Sequence, residues 1–348
     1  MNAAVVTLTA NPSLDRTLEL PGALVHGGVV RLAGATTEPG GKGVNVARAL
    51  AAAGTDVVCV LPAADDDDLV AALRRLGLRL ANVPVGAPVR TNYTVAEPDG
   101  TTTKLNEPGV PLSAPTRAAL AAVVRQQADG ARWVVLSGSL PPGTPPGWYA
   151  EIVSGLHGSG ARVAVDTSEA PLRALLDAGP FGAPDLLKPN AEELAQLTGV
   201  SETDVLTDPE VALSAVGTLH ALGVGTVLLT LGSAGALLSD AEGLWSARPP
   251  RVAVRSTVGA GDCSLAGYLL ADLAGAPPAE RLRSAVAYGA ASAGLPGSAV
   301  PTPAQVDGAA VRVTAGLPGS STPAPGISAG GSAASVPAPV PASGRDAR

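Results

Sequence analysis

Lysine is nearly absent from this chain: Lys42, Lys104 and Lys188 stand against twenty arginines in 348 residues. Aromatics make up 2% of the sequence, and there are two cysteines, Cys59 and Cys263. Two cysteines cannot build a disulfide framework and provide no zinc-ligand cluster. Positive charge is short as well: a formal net charge of −7 and a pI near 5.0 exclude the basic face that a nucleic-acid backbone requires. No hydrophobic run is long and charge-free enough to cross a bilayer, and the N-terminus lacks the basic segment of a secretion signal. The expectation is a soluble, cytoplasmic protein. Scarce aromatics beside 42 glycines and 32 prolines reflect genomic base bias and say little about function.

What is present is glycine, in two telling clusters. In Val258-Gly259-Ala260-Gly261-Asp262, Gly259 and Gly261 let the backbone turn tightly and bare its N–H groups. The apolar helical segment behind them, Leu265 to Leu273, adds a partial positive charge, so an anion can sit there. Asp262 is placed to take a proton from a hydroxyl attacking that anion, the arrangement wanted for phosphoryl transfer to an alcohol. Read from this turn alone, Asp262 is equally a helix N-cap. The second cluster is Glu38-Pro39-Gly40-Gly41-Lys42-Gly43-Val44-Asn45. It is not a P-loop, because Thr36 and Gly43 stand where that motif needs Gly and Ser or Thr. It is not a dinucleotide fingerprint either, because Val46 replaces the third glycine.

Short apolar runs alternate with longer Ala/Leu-rich segments. Residues 57–61, 133–136, 162–166 and 226–230 read as buried strands; 44–53, 69–76, 116–128, 192–198 and 210–222 read as helices. Such alternation implies an α/β fold with a parallel, helix-flanked sheet, whose ligands bind beyond the carboxyl ends of the strands. Two pieces break the pattern: 29–37 is strand-like with no helix, and 90–105 reads as a hairpin around Pro98-Asp99-Gly100. From about Ala315 to Arg348 the chain is Gly, Pro, Ser and Ala without periodicity, and is expected to be a disordered tail. Asp65 to Asp68 precede a helix and complement its dipole, which is a better reading than a metal cluster. His26, His157 and His220 lie far apart and offer no convincing ligand or base.

Several motifs occur in one order: Asn11-Pro12-Ser13-Leu14-Asp15, the GGKG cluster, Arg90-Thr91-Asn92, Thr103-Lys104-Leu105-Asn106, Ser137-Gly138-Ser139, Lys188-Pro189-Asn190 with Glu193, Thr230-Leu231-Gly232 with Gly235, and the GAGD turn. Over residues 3–310 this series resembles the ribokinase-like (PfkB) carbohydrate kinases. All three lysines fall inside these motifs, as expected where a compact ammonium meets phosphate. The resemblance implies a ribokinase-like parallel-sheet sandwich over residues 1–314, with a small β-sheet lid from about 14–38 and 88–108 that excludes water.

The resemblance also assigns residues. Asp262 removes the acceptor's proton, while the N–H groups of Gly259, Ala260 and Gly261 stabilise the moving phosphoryl group. Asp15, Gly41 and Asn45 hold sugar hydroxyls. Arg90, with Lys42, Arg31, Lys104 and Ser139, takes a phosphate already on the acceptor. Lys188 and Asn190 address the phosphates of ATP, and Thr230, Gly232 and Gly235 line its pocket. Asn190 and Glu193 organise water around Mg2+. Ser256-Thr257-Val258 stands where kinases of unphosphorylated sugars carry Asp-Thr, which favours a phosphosugar acceptor. Fructose 1-phosphate is the expected one, with tagatose 6-phosphate and fructose 6-phosphate as rivals. A homodimer through the lid is a further implication, and a catalytically idle sugar-phosphate-binding regulator is the reading from another class. Glu169 departs from the family pattern, in which Gly commonly follows Asp-x-Ser, and Val30 stands before Arg31 where Asn is frequent.

Overall fold

The computed structural model describes residues 3–317. Strand β1 (Val5–Leu8) is buried at every position, the mark of a central parallel strand covered on both faces. It is followed in chain order by β2 (Ser13–Glu19), β3 (Gly34–Gly40), β4 (Val57–Pro62), β5 (Arg79–Val83), β6 (Arg90–Ala96), β7 (Thr102–Asn106), β8 (Trp133–Ser137), β9 (Arg162–Asp166), β10 (Leu186–Leu187), β11 (Thr226–Thr230), β12 (Ala236–Asp240), β13 (Gly243–Arg248) and β14 (Arg312–Ala315). The main sheet has the order β14-β13-β12-β11-β10-β9-β8-β1-β4-β5. Pairing is parallel from β5 through to β11 and antiparallel from β11 outward to β14.

The helices are α1 (Lys42–Ala52), α2 (Asp68–Arg75), α3 (Ala114–Ala128), α4 (Trp148–Leu156), α5 (Glu169–Asp177), α6 (Ala191–Thr198), α7 (Glu202–Thr207), α8 (Pro209–Ala221), α9 (Ala260–Leu273) and α10 (Pro278–Ala293). Strand periodicity sorts the core into two layers. Val6 and Leu8 of β1 pack with Val134, Leu136 and the apolar faces of α3, α4 and α8. Val5 packs on the other side with Trp133, Val135 and those of α1, α2, α9 and α10. Each such side chain contributes about 1.5–3 kcal/mol by leaving water. Helices α9 and α10 approach closely because Gly267 has no side chain; a Cβ there would lie 2.6 Å from Ser284 O.

A second sheet, β3-β2-β6-β7, stands apart as the expected lid. β6 and β7 are the expected hairpin, with Ala96 opposite Thr102. The expected strand over 29–37 lies further along, at Gly34–Gly40. Val29 is 94% exposed, and residues 29–33 lie outside any strand, with Ala33 N reaching β2 at Glu19 O. Asp67 caps α2 by accepting from Leu69 N, and its other oxygen accepts from Val89 N, so the aspartate run is structural. Among the described residues no group of three or more His, Cys, Asp and Glu side chains could hold a metal ion, and no helix is long and apolar enough to cross a membrane. The expected tail starts too early at 315: Ala315 pairs with Trp245, and Gly316 N donates to Leu244 O. The remainder of that tail, 318–348, lies outside the described residues.

Gly43 seats α1 on the end of β1. A Cβ at this position would meet Thr9 Oγ1 at 2.5 Å and the Leu8 carbonyl oxygen at 3.0 Å, the latter backbone that cannot step aside. Gly43→Ala is expected to destabilise the protein by about 1–3 kcal/mol, read as a lower urea midpoint at unchanged slope.

Candidate active site

The carboxyl ends of β1, β8, β9, β10 and β11 open on a cleft of about 1090 Å3. Each strand end delivers polar groups to it: Asn11 after β1, Gly138 and Ser139 after β8, Asp166 and Ser168 from β9, Lys188 and Asn190 after β10, Thr230 and Gly232 from β11. Two helices complete the floor, because the N-termini of α1 and α9 both end here.

Helix α9 begins at Ala260, five residues before the expected apolar segment, so Asp262 sits in its first turn. Gly259 precedes the helix in the left-handed conformation (φ 78°), and no side chain caps it. The first amides of a helix have no intrahelical acceptor; Gly259, Ala260 and Gly261 line the cleft beside Asp262, and Ala260 N makes a long bond to Thr257 O at 3.4 Å. Asp262 is 5% exposed. Its Oδ2 accepts from Asn45 Nδ2 at 2.9 Å; its Oδ1 accepts nothing from the described residues. Burial, and then the nearby Asp166 carboxylate, push the Asp262 carboxyl up to about 6, against the pull of Lys42, Asn45 and Lys188.

Asp166 bridges two lysines: Lys42 Nζ is 2.9 Å from Oδ1 and Lys188 Nζ 3.1 Å from Oδ2. Burial opposes ionisation of Asp166, but the two ammoniums outweigh it and hold the group below the usual carboxylate range. Lys42 is raised in turn, chiefly by Asp166, against the cost of burial. Lys188 reaches α9 because Gly261 lacks a side chain; a Cβ there would lie 3.2 Å from its Nζ.

The lid supplies the opposite wall. Asp15 Oδ1 accepts from Ser13 Oγ at 2.8 Å and from Asn92 Nδ2 at 3.0 Å. A side chain at Gly40 would collide with the Asp15 carboxylate. Arg90 donates to Glu107 O and Asn11 O, and its Nε is buried without a partner. Arg31 and Lys104 do not join this lining: both are exposed, Lys104 on the edge strand β7.

At the other end, Asn190 and Glu193 form a capping box on α6. Glu193 N donates to Asn190 Oδ1 at 2.8 Å, and Asn190 N donates to Glu193 Oε2 at 2.9 Å. The Asn-x-x-Glu spacing is itself the sequence signature of this cap. Glu193 Oε1 remains, 3.9 Å from Lys42 Nζ. Burial, and then Asp166, raise the Glu193 carboxyl. Thr230, Gly232 and Gly235 line this end as expected; Gly235 has φ 113°, and a side chain there would strike the Ala247 carbonyl. Sequence reasoning missed the apolar wall beside them, Ala236, Val252, Val286, Ala290 and Ala293. Its signal was the spacing 286, 290, 293 on one face of α10. Also missed were Asn11, Asn92 and Arg251, and the pairing of Asp166 with both lysines. Glu169 holds φ 56°, the one left-handed non-glycine among the described residues. The backbone keeps the turn that glycine would make without strain.

Residues 9–305 match the pfkB family carbohydrate kinase model. The chain is 36% identical over 318 residues to the 1-phosphofructokinase of Rhodobacter capsulatus, covering 90% of this chain and 98% of the relative. It is 34% identical to the ATP-dependent 6-phosphofructokinase isozyme 2 of Escherichia coli (strain K12), covering 83% and 92%. The crystal structure of phosphofructokinase-2 from Escherichia coli in complex with substrates and products superimposes with a TM-score of 0.79 at 32% identity, over 86% of this chain and 96% of the other. The chain belongs to the PfkB family of carbohydrate kinases and is a phosphotransferase with the ribokinase-like fold.

The electrostatics of Asp262 can be measured directly. Its carboxyl resonance is expected to titrate near pH 6, where an ordinary aspartate titrates near 4. Lys42 favours the charged form, so Lys42→Met should move that midpoint to higher pH. A midpoint near 4 in the unaltered protein would contradict the burial argument.

Proposed function

We propose that this chain transfers the γ-phosphoryl group of ATP to the 6-hydroxyl of fructose 1-phosphate, giving fructose 1,6-bisphosphate and ADP. The observation that carries the proposal is the buried Asp262 carboxylate in the first turn of α9, a helix start with no side-chain cap, with Oδ1 accepting nothing from the described residues. In this reading the acceptor hydroxyl loses its proton to Asp262 as its oxygen bonds to phosphorus and the bond to ADP breaks. The N–H groups of Gly259, Ala260 and Gly261 take up charge on the moving phosphoryl group. Lys42 and Lys188 lie on the two sides of Asp166, suited to the acceptor and the ATP phosphates respectively. Asp15, Gly41 and Asn45 hold the sugar, Arg90 and Ser139 its phosphate, and Thr230, Gly232 and Gly235 the nucleotide. Ala236, Val286 and Ala290 suit a flat base.

Mg2+ belongs to the same proposal. Glu193 Oε1 is not used by the α6 cap, whereas Asn190 Oδ1 and Glu193 Oε2 are. A donor set this sparse fits an ion held mainly by phosphate and water, with Glu193 and Asn190 reaching it through water. When bound, Mg2+ neutralises phosphate charge. Arg31 and Lys104 are kept as phosphate contacts made by a lid in another position. A single catalytic domain with its lid, a cytoplasmic location and a homodimer paired through the lid complete the reading. The pairing is supported by Leu24, Val25, Val29 and Leu32, all exposed near the lid.

The names of the relatives favour fructose 1-phosphate, and the 6-phosphofructokinase at 34% identity makes fructose 6-phosphate the specific rival. An idle regulator is disfavoured, since Asp262 and both turn glycines are in place. ADP release measured with fructose 1-phosphate, fructose 6-phosphate and tagatose 6-phosphate is expected to give the highest kcat/KM for the first. A higher value for another sugar reassigns the substrate. Asp262→Asn should lower kcat by about two to four orders of magnitude with ATP binding retained; near-normal turnover would remove Asp262 as the base. Arg90→Ala should raise KM for the phosphosugar and leave that for ATP nearly unchanged, with Arg90→Lys recovering only part. Equal losses for both substrates would make Arg90 a support of the lid instead.

A further inference from the structure

Arg48 lies on α1 outside the cleft lining, yet it is held by more partners than any residue within it. Its side chain is 9% exposed. Nη1 donates to Pro39 O at 3.0 Å, to Asn45 Oδ1 at 3.2 Å and to Ser298 O at 3.1 Å, and Nη2 to Glu38 Oε1 at 3.4 Å. Glu38 Oε2 in turn accepts from Ser298 N and Ser298 Oγ, both at 3.2 Å. Arg48 therefore joins α1, the root of lid strand β3 and the loop after α10. Its contact with Asn45 matters most, because an amide has one acceptor end and one donor end. With Asn45 Oδ1 turned to the guanidinium, Asn45 Nδ2 must face Asp262, as it does at 2.9 Å.

We infer that Arg48 is a positioning residue for phosphoryl transfer: acting through Asn45 it fixes the Asp262 carboxylate with Oδ1 toward the acceptor, and it ties that aim to the root of the lid. The inference rests on the reading of Asp262 as the base. Without Arg48, the Asn45 amide can turn over and set its oxygen against the carboxylate. That misaims the base and disfavours its charged form. The other groups acting on Asp262 are Lys42 from α1, Asp166 from the end of β9 and Lys188 after β10, and none of them is bonded to Arg48.

The test compares Arg48→Met, Arg48→Lys and Asn45→Ala, singly and combined, in the full chain. Readouts are kcat, KM for each substrate, the acid limb of kcat/KM against pH, and melting temperature. Arg48→Met is expected to lower kcat about 10- to 100-fold with KM for ATP within about threefold. Its acid limb should move up by about half a pH unit or more, since a hydrogen bond to the carboxylate has been lost. Arg48→Lys should recover part of kcat, as one ammonium cannot serve the whole fork. In the Asn45→Ala background, Arg48→Met should cause little further loss, because the residue it acts through is gone. An unshifted limb with unchanged kcat, or losses that multiply in the double variant, would overturn the inference. If Arg48→Met does not fold, Arg48→Lys and Glu38→Gln carry the same readouts. Turnover by Asp262→Asn would refute the base itself; an inactive Asp262→Asn beside a normal Arg48→Met refutes only the role of Arg48.

Discussion

The cleft depends on one buried carboxylate. Asp166 is 1% exposed and ends a strand in the middle of the parallel sheet, where an unpaired charge would be strongly disfavoured. It is tolerated because Lys42 comes to it from the N-terminus of α1 and Lys188 from the end of β10. Neither lysine is near Asp166 in sequence, so the cluster exists only once the sheet has brought three elements together. The pairing also disposes the rest of the site. It holds two ammoniums side by side, which separate salts would not do, and it keeps a negative charge close enough to Asp262 to raise that group's proton affinity. Removing Asp166 would leave two cations facing each other across the floor of the cleft.

Strong local signals were read correctly. Helices α1, α2, α3, α6 and α8 lie within two residues of their expected bounds, and four buried strands fall where their apolar runs are. Strand β2 falls within the expected lid bounds of about 14–38, but its residues give no strand pattern of their own, because Ser13–Glu19 is polar at five of seven positions and does not alternate. Helix α10 was missed for a different reason: nine of the sixteen residues of Pro278–Ala293 are Ala, Gly or Ser, which leaves few large apolar positions to mark a period. In the site, the scarcity of lysine singled out Lys42 and Lys188 before any geometry was known. Their shared partner could not be found that way, since Asp166 is one acidic residue among many until three strand ends converge. Arg48 was invisible for the same reason, because its contacts span from Glu38 to Ser298.

The site is assembled from backbone as much as from side chains. Gly40, Gly41, Gly43 and Gly261 each stand where a methyl group would crowd a neighbouring side chain or the chain itself, and Gly259 holds left-handed backbone. Glu169 shows the same demand without the same solution, keeping a left-handed turn despite its side chain. Such strain is tolerated where surrounding structure over-determines the backbone, here at the first residue of α5.

The reciprocal cap of α6 makes a thermodynamic link between a helix end and whatever binds beside it. Glu193 has one oxygen committed to Asn190 N and one left over. A ligand content with the spare oxygen leaves the first turn of α6 intact; one that demands both must unlace it, forfeiting about 1 kcal/mol of helix stability. By reciprocity, fraying of that turn and occupancy of the carboxylate alter each other by equal free energies. The helix end would thus act as a gauge of coordination, with amide-hydrogen exchange at Asn190, whose N–H is held by Glu193 Oε2, reporting how many of the two oxygens a bound ion takes.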